Sequence, residues 1–322
     1  MTLEELQSAS NGIWLCADHA RLIDTNQGLG YSAPLMRGWR QLHEAFLVHE
    51  MRGLVPPCTL ITEINVRQGP EALKARPVAL STLNIITGAN ESGKTTLLDL
   101  LASAGREESC ADRPWSGDLA ADIHWFDPQP HLLELHAGDT GIEVRHDHAR
   151  APRLSTPYRV VTVRPPRQSP AALDDWAGLL DLDSHAFLRL LREVPRCVRG
   201  EVSRVDVING APVVHLHSLP GPILLDGSPG NGAAGIVLFE VAIALAQAHS
   251  QSGPTLLLID DFGDFLHPAL VWKMLRILTN ASGSFQTVVV THHILPPEVR
   301  QEWTITAIGA DDYDTLVDAG AR

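Results

Sequence analysis

The 322-residue sequence predicts an α/β fold: a mixed sheet with an antiparallel β subdomain, a helical insertion and a small N-terminal helical element. Three observations carry that expectation. First, the strand-like run Leu83-Asn-Ile-Ile-Thr passes straight into a glycine-rich turn, and a helix-forming segment follows from about 95 to 104. Second, Thr255-Leu-Leu-Leu-Ile and Thr287-Val-Val-Val are short and almost continuously apolar, as strands covered on both faces are. Helix-like 269–280 lies between them, so a β-α-β unit and a parallel sheet are expected. Third, residues 121–163 alternate polar with apolar around Gly and Asp turns, the pattern of an antiparallel meander with one buried face.

The remaining elements follow in chain order. In residues 1–57, Leu35, Trp39, Leu42 and Phe46 recur at helical spacing between Pro34 and the break at Gly53 and Pro56-Pro57. An amphipathic helix is expected there, its apolar stripe packed on the main body or offered to a partner, which the stripe alone does not separate. Leu60-Ile-Thr-Glu-Ile-Asn-Val-Arg and Pro77-Val-Ala-Leu read as strands, and 171–196 as helix. Residues 202–219 alternate again, and Gly227-Ser-Pro-Gly-Asn-Gly precedes an apolar helix from about 233 to 249. Residues 58–322 are expected as one domain, in which 105–200 inserts the β meander and helices.

Composition narrows the function classes. With 44% hydrophobic and 20% charged residues the chain can bury a sizeable core. Its longest apolar run, 233–248, contains Glu240 and is short for a bilayer, so a buried helix is expected there. The net charge of −13 argues against a surface that grips nucleic acid throughout, though not against a local basic patch. Cys16, Cys58, Cys110 and Cys197 are far apart and form no Cys-x-x-Cys pair, which points away from a disulfide framework or a thiolate zinc site. The N-terminal Met-Thr-Leu-Glu-Glu-Leu has no basic segment leading into an apolar one, so a cytoplasmic protein is expected.

The most specific chemistry lies in Gly88-Ala-Asn-Glu-Ser-Gly-Lys94-Thr95, which satisfies G-x-x-x-x-G-K-[ST] with a strand before it and a helix after it. Gly88 and Gly93 let backbone N–H groups turn inward toward phosphate oxygens, and the helix N-terminus adds partial positive charge. Lys94 is a mobile cation for the β and γ phosphates, and Thr95 offers a hydroxyl to Mg²⁺. Such a P-loop needs a metal-holding acid at the end of another buried strand. Leu256-Leu-Leu-Ile-Asp260 supplies it, and Asp261 next to it is placed to orient an attacking water. An acidic pair after four apolar residues is costly unless a cation meets it.

These residues resemble the ABC-type P-loop ATPases, in particular the SMC, RecF and overcoming-lysogenization-defect (OLD) group, over roughly 60–306. Asn84-Ile-Ile-Thr-Gly-Ala-Asn-Glu-Ser-Gly-Lys-Thr-Thr-Leu-Leu is similar to the family's Walker A form, which adds Asn90, Glu91, Ser92 and Thr96 to the nucleotide-binding set. Ser228-Pro-Gly-Asn resembles the signature motif, Leu257-Leu-Ile-Asp-Asp-Phe-Gly-Asp-Phe-Leu-His-Pro the Walker B and D-loop run, and Val289-Val-Thr-His292 the strand carrying a switch histidine. The resemblance implies a head-to-tail dimer with two ATP molecules between facing protomers, so that Ser228 and Gly230 reach the γ-phosphate held by the other copy's Lys94. It also implies a Q-loop glutamine, for which Gln168 is preferred over Gln129, and a basic residue near the nucleotide, for which Arg67 stands in place or is simply a solvated strand residue. Departures are Asp261 where Glu is usual, Asn231 where Gln or Glu is usual, and a long interval from Ser228 to Asp260, all of which leave hydrolysis less secure than binding.

Other chemistry is weaker. His146-Asp-His148 and His215-Leu-His217 are the best metal pairs among fifteen histidines, but spacing identifies no third ligand, so solvated strand faces are expected. No acidic cluster of the kind a Toprim nuclease needs follows His292, since Asp311-Asp-Tyr-Asp314 is too little, and no heptad arm interrupts the ATPase motifs. Arg145, Arg150, Arg153, Arg159, Arg164 and Arg167 form the most basic stretch, read as scattered surface charge or as a nucleic-acid contact. The expectation is a cytoplasmic ATPase using ATP and Mg²⁺, dimeric, acting as motor or switch subunit for a separate effector such as a nuclease, in DNA repair or antiphage defence. The alternatives are a nucleotide-gated scaffold with very slow hydrolysis and the ATP-binding subunit of a transporter.

Overall fold

A computed structural model of the chain describes residues 17–25, 36, 39–40, 43–44, 47, 60–69, 71–74, 77–103, 105, 118–127, 129–138, 141–150, 158–164, 170–208, 211–225, 230–261, 263, 266–281, 285–293, 295, 299 and 302–309. In chain order the elements are α1 (Ala17–Asp24), β1 (Leu60–Gln68), the single turn α2 (Glu71–Lys74), β2 (Val78–Ala79), β3 (Leu83–Gly88), α3 (Lys94–Ser103), β4 (Leu119–Asp127), β5 (Gln129–Gly138), β6 (Gly141–His146), β7 (Ala149–Arg150) and β8 (Arg159–Val163). They continue with α4 (Leu173–Gly178), α5 (Ser184–Cys197), β9 (Val202–Ile208), β10 (Ala211–Leu216), β11 (Ile223–Leu224), α6 (Asn231–Ser250), β12 (Thr255–Ile259), α7 (Pro268–Ala281), β13 (Gln286–Val290) and β14 (Thr304–Ile308). The described residues Met36, Trp39, Arg40, His43, Glu44 and Leu47 are helical, with Arg40 Nε 3.4 Å from Glu44 Oε1 one turn on. Leu35, Leu42 and Phe46 of the expected stripe lie outside the described residues.

Five strands form a parallel sheet in the order β14-β3-β13-β12-β8. The expected β12-α7-β13 unit is present, with Ile259 opposite Val289. Both faces of this sheet are covered, which explains the continuous apolar runs. Ile85, Val161, Val163, Leu257, Ile259 and Val289 enter one core with α4 to α7 and the small sheet β11-β10-β9. Their neighbours Ile86, Val160, Leu256, Leu258, Val288 and Val290 enter a second core with α3 and the antiparallel sheet β2-β1-β4-β5-β6-β7. The fold is therefore layered around β3, β12 and β13, with each buried aliphatic side chain contributing about 1.5–3 kcal/mol.

Two strands depart from the sequence reading. The meander ends at Arg150, and Arg159–Val163 joins the parallel sheet beside β12, with Val161 opposite Leu257. Alternation in a five-residue strand does not distinguish a sheet with one buried face from one with two, and only the pairing does. β14, not anticipated, closes the sheet beside β3. The apolar 233–248 run lies within α6, which packs on α5, β8 and β12, and Ala234 to Ala246 are almost wholly buried apart from Gly235.

Buried polar side chains join the layers. Gln286 opens β13 and is 2% exposed. Its Nε2 donates to Ile61 O (2.8 Å) and Ser81 O (2.7 Å), while its Oε1 accepts from Ile61 N–H (2.9 Å), so one amide ties the parallel sheet to β1. Within the parallel sheet, Asn84 Nδ2 donates to Thr287 O at 3.0 Å and to Ser81 O at 2.7 Å, bracing β3 against β13. On the other side of the sheet Glu240, fully buried in α6, accepts the N–H groups of Glu201 and Val202, the latter at 3.1 Å. Glu201 in turn pairs with Lys273 of α7 and accepts Ser218 N–H at 3.0 Å.

Burial is the main reason the Glu240 carboxyl rises from its ordinary 4.5 to about 7, against the pull of its two N–H donors. Below pH 4.5 the group is neutral folded or unfolded. Between 4.5 and about 7 the folded protein holds a proton that the unfolded chain has lost, so stability falls as pH rises, by about 3 kcal/mol in all. Glu240→Gln is expected to be less stable at the outset, because its NH2 meets one of the two donors, yet to show a flatter dependence of the urea midpoint on pH across that window. An unchanged slope would assign the dependence to another group.

Candidate functional site

The candidate site begins where fully buried β3 ends and α3 starts. A Cβ at Gly88 would lie 2.6 Å from Ile308 O and 2.9 Å from Ser92 Oγ, so only glycine passes between β14 and the turn. Gly93 (φ 96°) and Glu91 (φ 65°) supply the left-handed steps that bring the chain round into the helix. Leu97 N–H then donates to Gly93 O at 2.9 Å, opening α3. Lys94 is 6% exposed, and its Nζ donates to Gly88 O at 3.0 Å and to Ala89 O at 2.6 Å, so the ammonium lies across the turn. Ser92 Oγ is buried and has no partner among the described residues, while Asn90 and Glu91 are exposed and Thr95 and Thr96 half-buried.

Asp260 is the residue after β12 and is 3% exposed. Its N–H donates to Val163 O (2.9 Å), and Thr95 Oγ1 donates to its Oδ1 at 3.3 Å. Burial first, then the charge of Asp261, pushes its carboxyl up to about 6, with Arg164 and the Thr95 hydrogen bond pulling the other way. A buried carboxylate in that condition gains from any added cation. Asp261 has φ 45°, its N–H donates to Asp260 Oδ1 at 3.1 Å, and its Oδ1 is 4.0 Å from His292 Nε2. The structure thus joins Thr95, the residue after Lys94, to Asp260, and sets Asp261 beside His292. His293 turns elsewhere, with Nε2 2.9 Å from Gly263 O.

Arg164, which the sequence reading placed only in the basic stretch, lies at the candidate site. It follows β8 directly, ion-pairs with Asp99 of α3, and places Nε 3.8 Å from Asp260 Oδ2. Its position at the end of the strand next to β12 would have been the signal, but that requires knowing that β8 lies beside β12. Elsewhere in the basic stretch Arg145 is bonded to Glu143, and Arg153 and Arg167 lie outside the described residues. Gln168 and Ser228 also lie outside them, and Gln129 opens β5 of the antiparallel sheet. Arg67 Nη2 is 3.0 Å from Asp122 Oδ1 and 3.1 Å from His136 Nε2, an arrangement within the antiparallel sheet. Gly230 is exposed and caps the N-terminus of α6, where Ala234 N–H donates to Gly230 O at 3.0 Å.

The arrangement is suited to an anion and a hard cation held side by side. The turn offers a buried ammonium, an uncommitted serine hydroxyl and a helix N-terminus to phosphate oxygens. Thr95 and Asp260 offer neutral and anionic oxygens to a Mg²⁺-sized ion. All the groups stand at the carboxyl ends of parallel strands, the edge at which α/β sheets bind ligands.

No family model and no curated protein matches the chain. Solved structures do. An SMC head bound to the C-terminal winged-helix domain of ScpA aligns with a TM-score of 0.52 at 15% identity, covering 78% of this chain and 94% of that one. An SMC head with an extended coiled coil, bound to the C-terminal domain of ScpA and derived from Pyrococcus furiosus, gives 0.51 at 14% identity over 76% and 91%. The recombination mediator RecF with ATP gives 0.50 at 10% identity over 75% and 95%. At these identities the likeness is one of fold, and the chain has the mixed α/β fold of SMC heads and RecF.

Proposed function

We propose that this chain is an ABC-type ATPase that binds ATP with Mg²⁺, dimerises around it, and serves in the cytoplasm as motor or switch subunit for a separate effector in DNA repair or antiphage defence. The observation that carries the reading is the Thr95–Asp260 contact at 3.3 Å, which joins the turn that holds Lys94 to the acid after β12. The likeness of fold to RecF, solved with ATP, supports it, and the SMC heads solved with ScpA make a protein partner a reasonable expectation.

In this reading Lys94 leaves the Gly88 and Ala89 carbonyls for the β and γ phosphates, while the N–H groups of residues 90–95 and the Ser92 hydroxyl take the remaining oxygens. Thr95 and Asp260 would hold Mg²⁺, which when bound screens the phosphate charge. Asp261 orients the attacking water and takes up its proton, and His292 bonds the γ-phosphate. Arg164 holds Asp99 and Asp260 in position. Ser228 and Gly230 of one protomer complete the site of the other.

A scaffold reading with very slow turnover rests on one observation: Asp261 is a short acid on a left-handed residue, 4.0 Å from His292. Three measurements test these roles. Saturation with ATP and Mg²⁺ at a hundred times Kd should stabilise the parent by about 2.7 kcal/mol, and Lys94→Ala should abolish the shift in Tm. An undiminished shift would remove Lys94 from the site. Ser228→Arg should bind nucleotide but remain monomeric on sizing with a nonhydrolysable analogue, whereas a persistent dimer would refute the role of Ser228. In steady-state phosphate release the parent should turn over and Asp261→Glu should lie within about tenfold of it. A much larger gain in the variant would favour the scaffold.

A further inference from the structure

Away from the candidate nucleotide site, the far end of the antiparallel sheet brings His131 of β5 to the adjacent pair His146 and Asp147. His146 is the last residue of β6, and Asp147 and His148 form the turn into β7, both with positive φ (49° and 67°). A two-residue hairpin turn of this hand requires such angles, and Asp and His are among the few side chains that tolerate them. The expected placement of His146 and His148 on one strand face therefore fails: His148 belongs to the turn, with Nδ1 3.3 Å from Glu134 Oε2. His131, from the neighbouring strand, takes its place. His131 is paired with Trp125, and its i+2 neighbour Leu133 is paired with His146, so both imidazoles rise from the same face.

The turn is fixed in place before any ligand arrives. Asp147 N–H donates to Leu132 O at 2.8 Å, and Leu132 N–H donates to Asp147 Oδ1 at 2.8 Å. With Oδ1 committed to the backbone, Oδ2 faces the histidines, 2.8 Å from His131 Nδ1 and 3.5 Å from His146 Nδ1. Trp125, 6% exposed, stacks on His131 at 4.3 Å between centroids, and the two imidazoles stack at 5.4 Å with 23° between their planes. The ligand atoms of His131, His146 and Asp147 all lie within 4.8 Å of one another.

We propose that His131, His146 and Asp147 form a binding site for a divalent transition-metal ion of the zinc class, completed by water. Two imidazole nitrogens and one carboxylate oxygen are an N/N/O set suited to Zn²⁺ or Co²⁺ and poorly suited to Mg²⁺. Bonds of about 2.0–2.1 Å in a tetrahedron place ligand atoms about 3.3–3.4 Å apart. The 3.5 Å edge already fits, and the 2.8 Å edge needs to open by about 0.5 Å as the ion replaces the His131–Asp147 hydrogen bond. Each ring would ligate through Nδ1 and carry its proton on Nε2. The backbone N–H on Asp147 Oδ1 and the indole under His131 are the outer supports that hold metal ligands in orientation. All three side chains remain open to solvent on one side, with relative exposures of 24%, 36% and 45%, which admits the water ligand. The ion would add to the two hydrogen bonds that already hold the β6–β7 turn to β5.

Full-length protein stripped with a chelator and then held in excess Mg²⁺, to occupy the candidate nucleotide site, should take up one Co²⁺ per chain with visible d–d absorption that Zn²⁺ displaces. His131→Ala and His146→Ala should each weaken Zn²⁺ binding at least ~100-fold, whereas His148→Ala should leave it unchanged. Failure of the parent to bind, or parent-like binding by the His131→Ala/His146→Ala double variant, would overturn the site. X-ray absorption on the zinc-loaded parent decides the matter even if the variants misfold: a shell with two imidazoles supports the assignment, and one of oxygen alone or of thiolate refutes it.

Discussion

Parallel pairing of β3, β13, β12 and β8 sets the spacing of every group in the candidate nucleotide site. The four strands run in the same direction with matched registers, Ile86 opposite Val290, Val289 opposite Ile259, and Ile259 opposite Val163. Their carboxyl ends therefore finish on one edge and deliver the glycine-rich turn, His292, Asp260 and Arg164 side by side. What holds the strands in that register is burial on both faces. Shifting one by a residue would exchange the side chains of the two cores and carry Asp260 out of reach of Thr95.

That edge concentrates unlike charges at low exposure. Asp99 and Asp260 are both almost wholly buried, and Arg164, itself partly exposed, reaches in to both. Lys94 lies across the carbonyls of its own turn. Arg164 and the Thr95 hydroxyl both offset the cost of burying the Asp260 carboxyl, whose ionisation is held back by burial and by the charge of Asp261. The polar ties of Gln286, Asn84 and Glu240 serve a different purpose. Gln286 ties the parallel sheet to β1, Asn84 braces β3 against β13 within the parallel sheet, and Glu240 holds α6 to the start of β9.

The second cluster, on the antiparallel sheet, follows the same logic in a smaller space. A turn whose backbone angles favour Asp and His presents a carboxylate to two histidines from adjacent strands, and a buried tryptophan sets the angle of one of them. His131 lies fifteen residues before His146 and sixteen before Asp147, so neither helical nor strand periodicity links it to that adjacent pair.

The sequence by itself determined the α/β class, the strand-turn-helix around Lys94, the β-α-β unit whose first strand leads into Asp260, and the antiparallel pattern of the β4–β6 meander. Each of these is written in local periodicity or in a motif whose spacing is its geometry. Only the tertiary structure decided that β8 leaves the meander for the central sheet, that β14 closes the sheet beside β3, that Arg164 meets Asp260, and that His131 rather than His148 stands beside His146. Those outcomes depend on which strand lies next to which, and strand neighbours far apart in sequence are chosen by the burial of whole faces, a quantity that no local stretch of residues contains.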